Sequence, residues 1–168
     1  WSWSRGLGDV YKRQIMNKLL FFFLLFYLHV ANVYSDIIKP NTKIEPYNVV
    51  EIQLISLKNN DKPDKDFGIE QTWEFAHPEN KMNTGPLNNF KKMLKNEIYS
   101  ILLNHKDHKI EEIYNNKKIA IYDVIILGSD NFYYEFKWQV ERYDGKGSLN
   151  NCWLTTAVSN PVSLGASI

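Results

Sequence analysis

Hydrophobic positions along this chain change their period partway, and the change separates two kinds of element. From Pro46, the apolar residues Val50, Leu54 and Leu57 recur at i, i+4 and i+7 with Ile55 beside them, forming one stripe of a helix that ends near the polar turn NNDKPDKD at 59–66. A shorter helix is predicted from Asp66, whose carboxylate is placed to cap free backbone N–H groups. Ile69, Trp73 and Ala76 share its face, and Pro78 stops it. After a polar connection, Gly85 and Pro86 announce a third helix, Pro86 suiting a first helical position where its missing N–H would have no partner anyway. Leu87, Phe90, Leu94, Ile98 and Ile101 extend its apolar stripe.

Beyond His105 the period becomes two. Ile119–Leu127 (IAIYDVIIL) is apolar on both faces, as in a central strand buried on both sides or facing a cavity. Phe132, Tyr134, Phe136, Trp138 and Val140 then alternate with Glu135, Lys137, Gln139 and Glu141, so one face is expected to be buried and the other wet. DGKG at 144–147 supplies a turn, 152–158 returns as a strand, and a weaker strand at 111–114 pairs ahead of these. Helices first and antiparallel strands second predict a single α+β domain over 46–158, its helices packed on one face of a curved sheet. An extended linker over 36–45 precedes it and a tail over 159–168 follows.

Residues 1–35 fit neither pattern. SRGLGDVYKRQ at 4–14 looks like a translated library adapter, its last six residues matching an in-frame transposase end sequence, so 1–15 are set aside as an artefact expected to be disordered. From Met16 the chain has a short positive start (Asn17, Lys18), an apolar run LLFFFLLFYL at 19–28, and Val33 and Ser35 at minus three and minus one of a cut before Asp36. That is the secretory signal pattern. A membrane span needs roughly 20 mainly apolar residues, and this run is about half that before His29 and Asn32 dilute it. Export to a periplasm, lumen or medium is the expected destination; an uncut leader would instead anchor the domain to a membrane through 19–35. N-terminal sequencing that begins at Asp36 distinguishes the first from the second.

Setting the leader aside changes the charge. Of the 20 Lys and Arg and 19 Asp and Glu, Arg5, Lys12, Arg13, Lys18 and Asp9 precede Asp36, which leaves a net charge of −2. No surplus remains to bind a polyanion, and nucleic acid is not an expected partner. Lys91, Lys92 and Lys95 fall on the polar side of an amphipathic pattern, the position of a solvated face. Cys152 is alone, so stability has to come from a core rather than an internal disulfide, and about 130 residues suffice for one.

Five segments in order, VVEIQLISLKNND, GIEQTWEFAHPENK, TGPLNNFKKML, LLNHK and NCWLTTAV, resemble domain of unknown function 4864 over residues 49–158. The FAHP turn at 75–78 and the TGPL helix start at 84–87 are the most specific of them. The resemblance implies a cone of the nuclear-transport-factor-2-like (cystatin-like) type, in which helices and a curved sheet enclose a pocket. It implies no activity, because none is assigned to the family.

Cones of this kind host enzymes, carriers and protein-binding modules, so function rests on the site. Asp123 shares a strand face with Ile121 and Ile125. Held among apolar side chains, its carboxyl would have the raised pKa of a general base; at a sheet edge it would simply be solvated. His77, four residues after Trp73, is placed either to exchange a proton at a pocket mouth or to cap the carbonyls of a helix end. Trp73, Tyr134 and Trp138 are core aromatics of which one or two would line a pocket floor. His105 and His108 lack the carboxylates or thiols that would complete a metal site, and Cys152 beside Trp153 has the setting of an inert buried thiol. With no nucleophile elbow, phosphate-cradling glycine loop or zinc spacing, no cofactor or metal is expected. Two function classes follow: a non-catalytic module binding a small apolar ligand or a partner chain, and an isomerase or dehydratase with Asp123 as base and His77 or a tyrosine as polariser. A membrane-tethered assembly factor is a third, conditional on an uncut leader.

Overall fold

A computed structural model gives the fold of residues 36–166, and the expected adapter (1–15) and leader (16–35) lie outside the described residues. Four α-helices come first: α1 (Pro46–Lys58), α2 (Phe67–Glu74), α3 (Pro78–Thr84) and α4 (Leu87–Leu94), followed by a 3-10 turn at Ser100–Leu102. Five strands complete the chain: β1 (Asp107–Asn115), β2 (Ile119–Leu127), β3 (Phe132–Arg142), β4 (Trp153–Val158) and β5 (Val162–Ala166). Their pairings are all antiparallel, in the order β1-β2-β3-β4, with β5 alongside the other half of β3. The domain is α+β with an open sheet. Among the described residues, no helix is long and apolar enough to cross a membrane.

Strand parity decides which side chains meet the helices. On β2, Ala120, Tyr122, Val124 and Ile126 are buried while Ile119, Ile121, Asp123, Ile125 and Leu127 are only half-buried. The strand is therefore not buried on both sides, contrary to the expectation from its composition. Opposite the buried row stand Phe136, Trp138 and Val140 of β3, also buried, with Tyr134 half-buried against the edge of the core and Phe132 exposed. α1 contributes Val49, Val50, Leu54 and Leu57 to the same core and leaves Ile55 exposed.

Several expected boundaries move, each for a local reason. Asp66 adopts a left-handed backbone conformation (φ 66°) and makes no side-chain cap to α2. Asn60 does that work: its Oδ1 accepts from Ile69 N at 3.1 Å and its carbonyl from Gly68 N at 2.9 Å. Gly68 has to be glycine at this crossing, since a Cβ would run into the Ser56 carbonyl. The Asp66 carboxylate instead receives Lys95 Nζ at 2.7 Å, with Lys91 Nζ 4.0 Å from it and 2.7 Å from Glu70. Lys91 and Lys95 thus latch α4 onto α2 rather than forming a solvated face, because their i, i+4 spacing aligns both with the α2 acids. The Lys95 hydrogen bond holds the Asp66 carboxyl below the usual carboxylate range.

The polar connection is itself helical. α2 stops at Glu74, short of the expected Ala76 and Pro78, and Pro78 instead opens α3, where His77 Nδ1 accepts from Glu79 N at 3.2 Å. The long stripe from Leu87 breaks after Leu94: Asn96 Oδ1 accepts from Ile98 N (3.0 Å) and Tyr99 N (2.9 Å), which turns the chain and leaves Ile98 44% exposed. The expected linker is anchored by Gln71, whose amide accepts from Ile38 N at 2.7 Å and donates to Ile38 O at 2.8 Å. The expected tail carries β5. It follows β4 along one edge of β3, and between the two Lys137 and Ser159 bond twice at 2.9 Å. Val162 and Leu164 are exposed, so β5 is defined by backbone pairing and shows no buried alternation in the sequence.

Candidate functional site

The turn after α2 is stitched to β4. Thr155 N donates to Phe75 O at 2.8 Å, His77 N donates to Thr155 O at 2.9 Å, and Ala76 and Thr155 form a parallel bridge. Asn80, one turn into α3, adds two bonds from Nδ2, to Thr155 O at 3.1 Å and Thr156 O at 2.8 Å. The FAHP and LTT segments are thus two sides of one junction.

Behind this junction is a cavity of about 260 Å³. Leu57 of α1, Trp73 of α2, Phe90, Met93 and Leu94 of α4 and Val158 of β4 supply an apolar wall, and Trp138 of β3 backs it. Trp73 and Phe90 stack at a tilt, ring centres 5.0 Å apart, and Lys81 Nζ lies 5.4 Å from the Trp73 ring. Gln53, Thr72, Asn80, Thr155 and Thr156 line the polar part. Gln53 organises it: Oε1 accepts from Thr155 Oγ1 at 2.6 Å and Trp138 Nε1 at 3.1 Å, while Nε2 donates to Thr72 O at 3.1 Å. Sequence reasoning missed Gln53, although its signal is visible as a polar residue set within the apolar stripe between Val50 and Leu54.

The sequence candidates divide. Trp73 and Trp138 line the cavity, whereas Tyr134 does not; its hydroxyl donates to Asp130 Oδ2 at 2.6 Å, near the turn that joins β2 to β3. Asp123 alternates with Tyr122, which pairs directly with cavity-lining Trp138, so its side chain emerges on the opposite sheet face. There it is 21% exposed with Lys137 Nζ 2.7 Å from Oδ1. His77 does not line the cavity either: it caps α3 and meets Tyr143 edge-on at 5.4 Å. Asp123 and His77 are therefore not brought to one cavity. Cys152 is fully buried, and burial raises its thiol pKa.

A second titratable cluster lies just before and within β1. His105, 2% exposed, has Nδ1 2.8 Å from Leu102 O and Nε2 2.8 Å from His108 Nδ1. A carbonyl only accepts, so the His105 proton is on Nδ1 and Nε2 takes its bond from His108 Nδ1–H. Burial holds the His105 pKa down to about 4 and also lowers that of His108. Among the described residues, no group of three or more His, Cys, Asp and Glu is placed to hold a metal. Comparison of the chain with protein-family models, curated proteins and solved structures gives no match.

Proposed function

We propose that this domain is a binding module whose cavity receives a small apolar ligand or an apolar group of a partner chain. The observation that carries the proposal is the lining itself: aromatic and aliphatic walls, a small polar part organised by Gln53, and among the described lining residues no Asp, Glu, Lys, Arg, His or Cys. Pockets for small molecules have this character, mostly apolar with a few fixed polar groups. General acid–base chemistry needs a titratable side chain near the reacting atoms, and the lining offers only the Tyr99 phenol, whose hydroxyl is 3.4 Å from Val158 O. An isomerase or dehydratase using Asp123 requires that carboxylate in the cavity, while Lys137 holds it on the other face. Helices preceding a sheet, with a cavity between them, agree with the cone implied by the resemblance to domain of unknown function 4864, which together with export stays part of the proposal.

Native mass spectrometry of the protein isolated from its own compartment tests this. A non-covalent mass that disappears on denaturation is the expected result. Bare polypeptide, together with tryptophan fluorescence that stays constant on titration with small apolar amides and esters, would defeat the proposal, since Trp73 and Trp138 both stand in the wall.

A further inference from the structure

We infer that the cavity selects an uncharged ligand, one with a compact apolar body that ends in an N–H or O–H donor directed at the side-chain carbonyl of Asn80. The inference rests on the binding reading above and names the ligand chemistry.

The Asn80 amide has only one tenable orientation. Its Nδ2 donates to two backbone carbonyls, Thr155 O and Thr156 O, and a flipped amide would set oxygen against both. Both amide hydrogens are therefore used on β4, and Oδ1 points away from it. No described group donates to Oδ1, yet it is not among the buried side-chain atoms lacking a partner, so it is accessible. Asn80 is one of the residues that line the cavity, and this bare acceptor is assigned to the cavity side.

The Thr84 and Tyr99 hydroxyls also line the cavity and can accept, but each donates as well, whereas Asn80 Oδ1 only accepts. Gln53 Oε1 already accepts from two donors, the Thr72 hydroxyl donates to Gly68 O at 2.8 Å, and the Thr156 hydroxyl is 3.1 Å from Glu141 Oε1. The charge of the ligand follows from the same surroundings. A buried carboxylate needs a cation or several donors to offset its lost hydration, and no Lys, Arg or His lines the cavity among the described residues. Lys81, the cation packed on Trp73, is outside the lining and donates to Glu74 O at 3.2 Å. A carboxylate head would thus meet a carbonyl oxygen and no counter-charge. Size adds a further limit, since about 260 Å³ falls below the roughly 300–1,000 Å³ of ordinary ligand pockets.

Three probes of nearly equal shape separate these requirements: octanamide (neutral, donor), methyl octanoate (neutral, no donor) and octanoate (charged, no donor). Titrated into the full chain at neutral pH and followed by tryptophan fluorescence and calorimetry, octanamide is expected to bind tightest. Methyl octanoate should be weaker by about five- to ten-fold, the worth of one hydrogen bond, and octanoate by about a hundred-fold or more. In Asn80→Ala, with folding checked by circular dichroism, the amide and ester should bind alike. Octanoate binding as tightly as octanamide, or an ester equal to the amide in the native chain, overturns the selection and leaves the binding module standing. Failure of all three to bind defeats the cavity reading and this inference with it. Should Asn80→Ala not fold, the three affinities of the native chain still decide.

Discussion

Replacing Trp138 with alanine is expected to lower folding stability by about 3–5 kcal/mol, the usual cost of deleting a large buried aromatic side chain. Trp138 is 1% exposed and heads the largest fully buried side chains of the domain. The loss is chiefly one of packing, because Gln53 Oε1 keeps its 2.6 Å bond from Thr155 once the indole is gone. A domain of this size has about 5–15 kcal/mol of stability in all, so the variant should unfold at a much lower urea midpoint with an unchanged slope. Gln139→Ala, one residue along on the opposite face, is the internal control. Its amide donates to Glu141 Oε1 at 2.7 Å and Thr156 Oγ1 at 3.2 Å in half-exposed surroundings, so the expected loss is at most about 1 kcal/mol. Equal losses at the two positions would mean that the core lies on the wrong face of β3.

The contrast between these neighbours also shows how far the sequence reached. β2 and the start of β3 were legible to the residue, because a nine-residue run in which six are β-branched or aromatic, set between polar turns, leaves little room for another period. Which face of β2 the helices cover was not legible. Ile121 and Ile125 are as apolar as Val124 and Ile126, so local pattern cannot choose between them, and Asp123 went to the outer face with its neighbours. Tertiary packing made that choice through Trp138 and Gln53, residues 85 apart in the chain. Side-chain capping was hidden for a related reason: Asn96 and Asn60 bend the backbone with their own carbonyls, an outcome that apolar periodicity does not register. The wall aromatics Trp73 and Trp138 could be singled out as aromatics. The acceptor of Asn80 could not, since it depends on two carbonyls of a strand more than seventy residues further along.

Acidification should destabilise the domain between pH 6.5 and about 4 through His105. Its ring is buried, its Nδ1–H is committed to Leu102 O, and its Nε2 accepts from His108, so a second proton would lose a hydrogen bond as well as hydration. Burial, the dominant cause, takes its pKa from 6.5 to about 4; the Leu102 carbonyl and Asp107 pull it upward, and His108 and Lys58 push it down. Within that window the unfolded chain binds a proton that the folded chain refuses, so stability falls as pH falls. Above 6.5 both states are neutral at this site and the contribution is constant. At about 1.36 kcal/mol per unit the depression is worth about 3 kcal/mol once pH reaches 4. His108, half-buried and facing Lys58, Asp107 and Glu51, is shifted the same way and steepens the fall. The Asp66 contribution is separate: its lowered pKa gives stability that is whole above 3.8 and is lost only at more acid pH. His105→Gln keeps an amide N–H for Leu102 O but cannot titrate, so urea midpoints measured from pH 7.5 to 4 should fall less in this variant than in the native chain. Parallel curves for the two proteins would place the refused proton on another group.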